Sequence, residues 1–217
     1  KGLRSREILE IQQRCRHAGI RYTLVEQQAL DRLCREEGAV DTAHQGVIAR
    51  LCAASFQPLE QLLADAMHAP LPLLVALDQV QDPGNVGTIL RTADAFRADG
   101  LVLVNGCADL YNPKTVRATM GAVFRCPVWT TAADELSALL KRSGIPLYGA
   151  ALRDDTLDAR MVDYRRCAIA IGSEGRGLTE GVLALCDRTI RIPMSEHCES
   201  LNAAAAATVL LWEAARN

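Results

Sequence analysis

The sequence predicts an α/β fold: a mostly parallel sheet with helices on both faces, preceded by a small α/β domain. Three observations carry this. From about residue 71 onward, short apolar runs of strand length alternate with stretches of helical periodicity, the pattern of repeated βα units. Those runs are apolar at nearly every position, as in strands buried on both faces. A stretch holding Pro58 and Pro70 separates this region from a shorter one before it. The length of 217 residues exceeds one typical domain of about 150 and leaves room for a second, smaller one.

Residues 5–17 place Ile8, Leu9, Ile11 and Cys15 on one helical face. After Gly19, residues 20–25 read as a strand. A second helix over 28–36 turns Leu30, Leu33 and Cys34 inward, and a strand is expected over 46–52. This α-β-α-β order opens without a leading strand, so residues 1–54 are expected to form a truncated domain lacking a first strand and helix. Residues 55–70, with a short polar helix near 59–67, form the linker, and 71–217 the main domain. Its expected strands are 73–77, 101–104, 127–129, 146–151, 168–171 and 189–192. Its expected helices are 86–96, 114–123, 132–142, 178–185 and 201–216.

Composition narrows the function classes. With 49% hydrophobic and 23% charged residues the chain is neither disordered nor supercharged. The longest apolar run, Ala203 to Trp212, is short of the about 20 residues that span a bilayer, so no membrane segment is expected. Eight cysteines (15, 34, 52, 107, 126, 167, 186 and 198) include no C-x-x-C pair and read as reduced, buried thiols of a cytoplasmic protein. The net charge of −2 hides an N-terminal bias: residues 1–21 hold six basic against two acidic side chains. Arg4, Arg6, Arg14, Arg16 and Arg21 are therefore the candidate phosphate contacts, although a solvated helix face is the default reading of such a stretch.

In open parallel sheets ligands bind beyond the carboxyl ends of the strands, which directs attention to three loops. The first, from Asp78 to Arg91, contains no G-x-G-x-x-G, and its plainest reading is a turn with Asn85 capping a helix. Arg91, six residues on, offers a planar multi-donor fork for a ligand phosphate. The second, Gly172-Ser173-Glu174-Gly175-Arg176-Gly177, sets one carboxylate among three glycines. Glycines there permit tight turning and close backbone approach. The third runs from Pro193 to Asn202, and its adjacent His197 and Cys198 point poorly at a common ligand, so no metal site is expected.

In this order the loops resemble the TrmH-like RNA 2′-O-ribose methyltransferases of the SPOUT (α/β-knot) superfamily. The matching residues are Asn85, Gly87 and Arg91; Ile171 through Gly175 with Gly177 and Leu178; and Ile192-Pro193-Met194 with Ser200-Leu201-Asn202. The segment from Asp109 to Ala122 matches the stretch between the first two motifs. The likeness covers residues 72–217. Residues 1–54, ending in His44-Gln45-Gly46-Val47, resemble more loosely the RNA substrate-recognition domain of RlmB-like rRNA members. After Asn202 the chain departs from the family by carrying Ala203–Ala206.

The resemblance implies a C-terminal deep trefoil knot, a homodimer formed through the knot domain, and S-adenosyl-L-methionine held by Gly172, Gly175, Ile192, Met194 and Leu201. It implies methyl transfer to a ribose 2′-hydroxyl of structured RNA, with 23S rRNA favoured and tRNA open. Arg91, Asn85, Glu174, Ser200 and Asn202 are the implied catalytic set. Arg91 is either the base or, since a guanidinium ordinarily titrates above about 12, a group that grips phosphate and stabilises the alkoxide. Two other classes stay open: a non-catalytic RNA-binding knot protein, and a nucleotide-binding enzyme cradling phosphate on 172–177. The second lacks the Lys-Ser/Thr that such a cradle needs.

Overall fold

The computed structural model describes residues 6–36, 44–50, 61, 64, 68–69, 72–153, 155–195, 197–198 and 200–216. The chain divides into two compact units, Lys1–Ala54 and Ser55–Asn217.

The first unit holds α1 (Arg6–His17) and α2 (Gln27–Glu36). Glu7 in the first turn of α1 and Arg14, Arg16 and His17 in the last complement the helix dipole. Gly19, at φ 66°, ends that helix in the left-handed conformation that glycine adopts without strain. His44 accepts the Gly46 amide at Nδ1 (2.9 Å), so its Nε2 carries the proton donated to Asp31 (3.0 Å). The strands expected at 20–25 and 46–52 are not found among the described residues: 20–26 and 47–50 pair with no strand, and 51–52 lie outside the description. Ile20 and Leu24 are 59% and 71% exposed, and an apolar run without a partner ladder stays irregular. The helix expected near 59–67 falls almost wholly outside the described residues, of which 61 and 64 are helical.

Among the described residues the second unit is built on seven parallel strands: β1 (Leu73–Asp78), β2 (Gly100–Val104), β3 (Val128–Thr130), β4 (Leu147–Ala150), β5 (Leu157–Asp158), β6 (Cys167–Gly172) and β7 (Arg188–Arg191). They lie in the order β3-β2-β1-β6-β4-β7-β5, with every pairing parallel. All residues of β1, β2 and β6 are buried, which explains their unbroken apolar reading. Side chains alternate between two cores. Leu73, Val75 and Leu77 join α3 (Pro83–Ala95) and the C-terminal helix Ala203–Ala215 on one face. Leu74 and Ala76 join Leu136, Leu139 and Leu140 of Ala133–Arg142, and Val182 of Glu180–Leu183, on the other. Each fully buried Leu or Ile contributes about 1.5–3 kcal/mol relative to exposure.

Between β2 and β3 lies α4 (Pro113–Ala118); the helices just named are α5 (Ala133–Arg142), α6 (Glu180–Leu183) and α7 (Ala203–Ala215). The expected helix over 114–123 is interrupted: Met120 and Gly121 take φ 50° and 86°, and a 3₁₀ turn follows at Ala122–Phe124. β5, two residues at the sheet edge, is too short to signal itself in sequence. The cysteines are less uniformly buried than expected. Cys126 and Cys167 are buried, and burial pushes both thiols up to about 12. Cys15, Cys34, Cys107 and Cys186 are half-buried, Cys198 is exposed, and Cys52 lies outside the described residues.

Candidate active site

The chain runs from β1 outward through β2 and β3, then returns to the other side of β1 to place β6. The β1/β6 boundary is thus the switch point of the sheet, where loops leave in opposite directions and a crevice forms. Asn85 follows β1 and Glu174 follows β6 across that boundary.

Asp82, not Asn85, caps α3: its carboxylate accepts the Gly84 amide at 3.1 Å, with Pro83 as the first helical residue. That bond, then the Lys114 ammonium at 3.1 Å, holds the Asp82 carboxyl below the usual carboxylate range. Relieved of capping, the Asn85 side chain is free to turn outward. Gly87 is fixed by packing, since a Cβ there would stand 2.5 Å from both Ala118 Cβ and the Thr115 carbonyl oxygen. Arg91 lies about 9 Å along the helix from Asn85. Its side chain is exposed and makes no hydrogen bond or ion pair with the described residues.

The loop after β6 doubles back on itself. Ser173 and Gly177 exchange backbone hydrogen bonds (3.1 and 2.8 Å). The returning chain crosses Gly172 so closely that a Cβ would sit 2.0 Å from the Gly177 carbonyl carbon. Gly172 is therefore dictated first by this crossing. Gly175 is different: nothing lies within 4 Å of where its Cβ would be, and its backbone stays approachable.

Asn202 caps α7, its Oδ1 accepting the Ala204 and Ala205 amides at 2.9 and 3.2 Å. Its Nδ2 then donates to Asn85 Oδ1 (3.1 Å) and Glu174 Oε1 (3.2 Å), while Asn85 Nδ2 donates to the same Glu174 oxygen. Residue 85 from the first turn of α3, residue 174 from the loop after β6 and residue 202 from the cap of α7 thus form one closed array. Ser200 is exposed nearby in sequence, its carbonyl accepting the Cys198 thiol (3.3 Å), and it is not bonded into the array. Ile192, Met194 and Leu201 are half-buried, Ile192 packing on the larger core.

Sequence reasoning passed over Asp78 and Asn105. Asp78 is fully buried, and its two oxygens accept the Thr179 amide (2.6 Å) and Asn105 Nδ2 (2.9 Å). The signal was available: an acidic residue closes an otherwise apolar run, Leu73-Leu74-Val75-Ala76-Leu77-Asp78. Of the N-terminal arginines, Arg14 is paired with Glu10 at 2.7 Å and Arg16 reaches the Gln12 carbonyl (3.4 Å). Arg6 and Arg21 are exposed, and Arg4 lies outside the described residues.

The model of the SpoU rRNA methylase family matches residues 72–212, which include the whole array. The chain belongs to the SpoU rRNA methylase family. Among SpoU-type relatives, the Bacillus subtilis 23S rRNA (guanosine(2553)-2′-O)-methyltransferase RlmP is 35% identical over 158 residues, 70% of this chain and 64% of that protein. A putative TrmH family tRNA/rRNA methyltransferase of Staphylococcus haemolyticus is 32% identical over 100% of this chain and 85% of its own. The AdoMet-bound rRNA methyltransferase from Sinorhizobium meliloti superposes with a TM-score of 0.68 at 35% identity, covering 75% of this chain and 61% of that one. The chain thus spans less than two thirds of the Bacillus and Sinorhizobium proteins.

Proposed function

We propose that this chain carries an S-adenosylmethionine-dependent methyltransferase acting on the ribose 2′-hydroxyl of structured RNA, with 23S rRNA the favoured substrate. The observation that carries the reading is the meeting of Asn85, Glu174 and Asn202 at the switch point. A binding module has no need to hold one carboxylate oxygen with two amides while leaving the other open. The AdoMet-bound Sinorhizobium relative supports the cofactor, and the named rRNA relatives support the substrate class. The wider reading includes a deep trefoil knot in the C-terminal third, a homodimer through that region, action in the cytoplasm, and an RNA-recognition role for residues 1–54.

The residues present fit the cofactor. Gly175 leaves its backbone open to approach, Gly172 lets the loop that presents it close tightly, and the half-buried Ile192, Met194 and Leu201 offer apolar surface to a purine. When bound, S-adenosylmethionine supplies an electrophilic methyl group on its sulfonium. The chain's work is then to align the hydroxyl and accommodate the charge that develops on its oxygen. Glu174 Oε2, which has no partner among the described residues, is the acceptor the array leaves open to orient the hydroxyl hydrogen. Asn85 and Asn202 fix the carboxylate, and Arg91, with its guanidinium uncommitted, grips phosphate and stabilises the developing alkoxide.

Calorimetric titration of the purified protein with S-adenosylmethionine, using ATP and NAD as controls, tests the reading. Selective binding of S-adenosylmethionine is expected. Binding of ATP or NAD instead would transfer the weight to a nucleotide-binding enzyme, and no binding to a non-catalytic RNA-binding protein.

A further inference from the structure

We propose that Asp78 is a positioning residue for methyl transfer, clamping the 173–179 loop so that Glu174 meets Asn85 and Asn202. The inference rests on the methyltransferase reading for what the clamp serves, but the clamp itself stands on geometry. Asp78 ends β1 directly opposite Gly172, which ends β6. The chain leaves Gly172, makes the tight 173–177 turn bearing Glu174, crosses back over Gly172, and brings the Thr179 amide onto Asp78 Oδ2 at 2.6 Å. The loop therefore begins and ends on one residue pair, and Asp78 is the side chain that closes it.

The other oxygen, Oδ1, accepts from Asn105 Nδ2 at 2.9 Å, tying the same carboxylate to the end of β2. Both neighbours are conformationally unusual. Gln79, next to Asp78, and Asn105, its donor, take φ 54° and 51°. Asparagine enters this region at little cost, whereas a glutamine held there is uncommon and marks backbone that its surroundings determine. Asp78 is also 0% exposed, so any donor withdrawn from it finds no water in its place. A buried carboxylate held by the backbone amide at the cap of α6 and by a side-chain amide at the end of β2 is an anchor for the loop that carries Glu174. Thr179 adds to this by capping α6 through its hydroxyl on the Val182 amide (3.3 Å).

The test is Asp78→Asn, which keeps size and shape but leaves an amide able to accept from only one of the two donors. A compensating pair, Asp78→Asn with Asn105→Asp, restores both hydrogen bonds by exchanging the acid and the amide. Two readouts are taken on the intact chain at a temperature where circular dichroism shows it folded. Amide hydrogen exchange at Thr179 and through 173–178, measured without cofactor, is expected to accelerate at least about tenfold in Asp78→Asn and to recover in the pair. Methyl transfer is expected to lose about tenfold or more in kcat, with KM for S-adenosylmethionine within about twofold, and to recover in the pair.

Unchanged exchange, or unchanged kcat in the folded variant, overturns the proposal. So does a pair that regains stability without regaining kcat, because a clamp should work with the charge on either side. Should Asp78→Asn not fold, the pair and Asn105→Ala, which removes one donor alone, carry the same comparison. A wild-type chain that transfers no methyl group to RNA sinks the methyltransferase reading, whereas unchanged exchange sinks the clamp by itself.

Discussion

In the C-terminal unit every residue of β1, β2 and β6 is buried, whereas α1 and α2 of the N-terminal unit bury none. Leu9 and Ile11 on α1 are 50% and 41% exposed although their spacing is that of an inward face. The contrast teaches that periodicity locates an element but only a partner surface fixes it. β1 is specified from both flanks and both faces, while the apolar runs near 20–25 and 47–50 find no ladder among the described residues.

Glycines sharpen this comparison most. Gly172→Ala is expected to lower the unfolding free energy by about 3 kcal/mol or more, because the added Cβ meets backbone rather than a movable side chain. Urea unfolding checks it, and a loss below about 1 kcal/mol would mean that the 173–177 crossing is not rigid.

Arg91→Ala comes next. Turnover should fall about a hundredfold or more with S-adenosylmethionine binding unchanged by calorimetry, as for removal of one alkoxide-stabilising donor. Loss of binding instead would assign Arg91 to the cofactor pocket. In the N-terminal unit, Arg6→Ala with Arg21→Ala should reduce RNA affinity about tenfold and the salt slope by about two. An unaltered slope in filter binding would remove the phosphate-contact role from these arginines.

Gly19→Ala tests the loose side of the comparison. Nothing lies within 4 Å of its Cβ position, so only the left-handed φ of 66° is penalised, by about 1 kcal/mol in thermal unfolding. A loss as large as that at Gly172 would contradict the difference drawn between the units.

The smallest effect is electrostatic. The Asp82 carboxyl titrates below its ordinary 3.8 when folded, first because of the Gly84 amide and then because of Lys114. Its contribution is therefore complete above that value and is lost as pH falls through the lower folded one. Exposure and screening limit it to about 0.5 kcal/mol. The wild-type melting temperature should fall slightly more than that of Asp82→Asn between pH 5 and 3.

The main sheet was legible because its central strands β1, β2 and β6 are apolar at nearly every position and α3, α4 and α7 open on Asp82, Asn112 and Asn202. The residues 85, 174 and 202 could be singled out because each follows a strand in a loop dense with polar groups and glycine. Their mutual hydrogen bonds were not legible, since they depend on which strands adjoin, and β4 lies between β6 and β7. For the same reason Asn85 was read as the cap: Asp82 competes three residues earlier, and only the backbone decides which carboxyl or amide faces the free N–H groups. Asp78 escaped because a single acid at the end of an apolar run reads as a loop boundary, while its partners sit 27 and 101 residues away.

Incubation of the protein with methyl-labelled S-adenosylmethionine and unmodified ribosomal RNA, followed by alkaline hydrolysis, tests the central claim most directly. A methylated 2′-oxygen cannot attack the adjacent phosphate, so label on ribose must persist in alkali-resistant dinucleotides, and its rate of appearance should fall about a hundredfold or more with Arg91→Ala. Label recovered only in mononucleotides, or none transferred by a protein that binds the cofactor, would contradict the account.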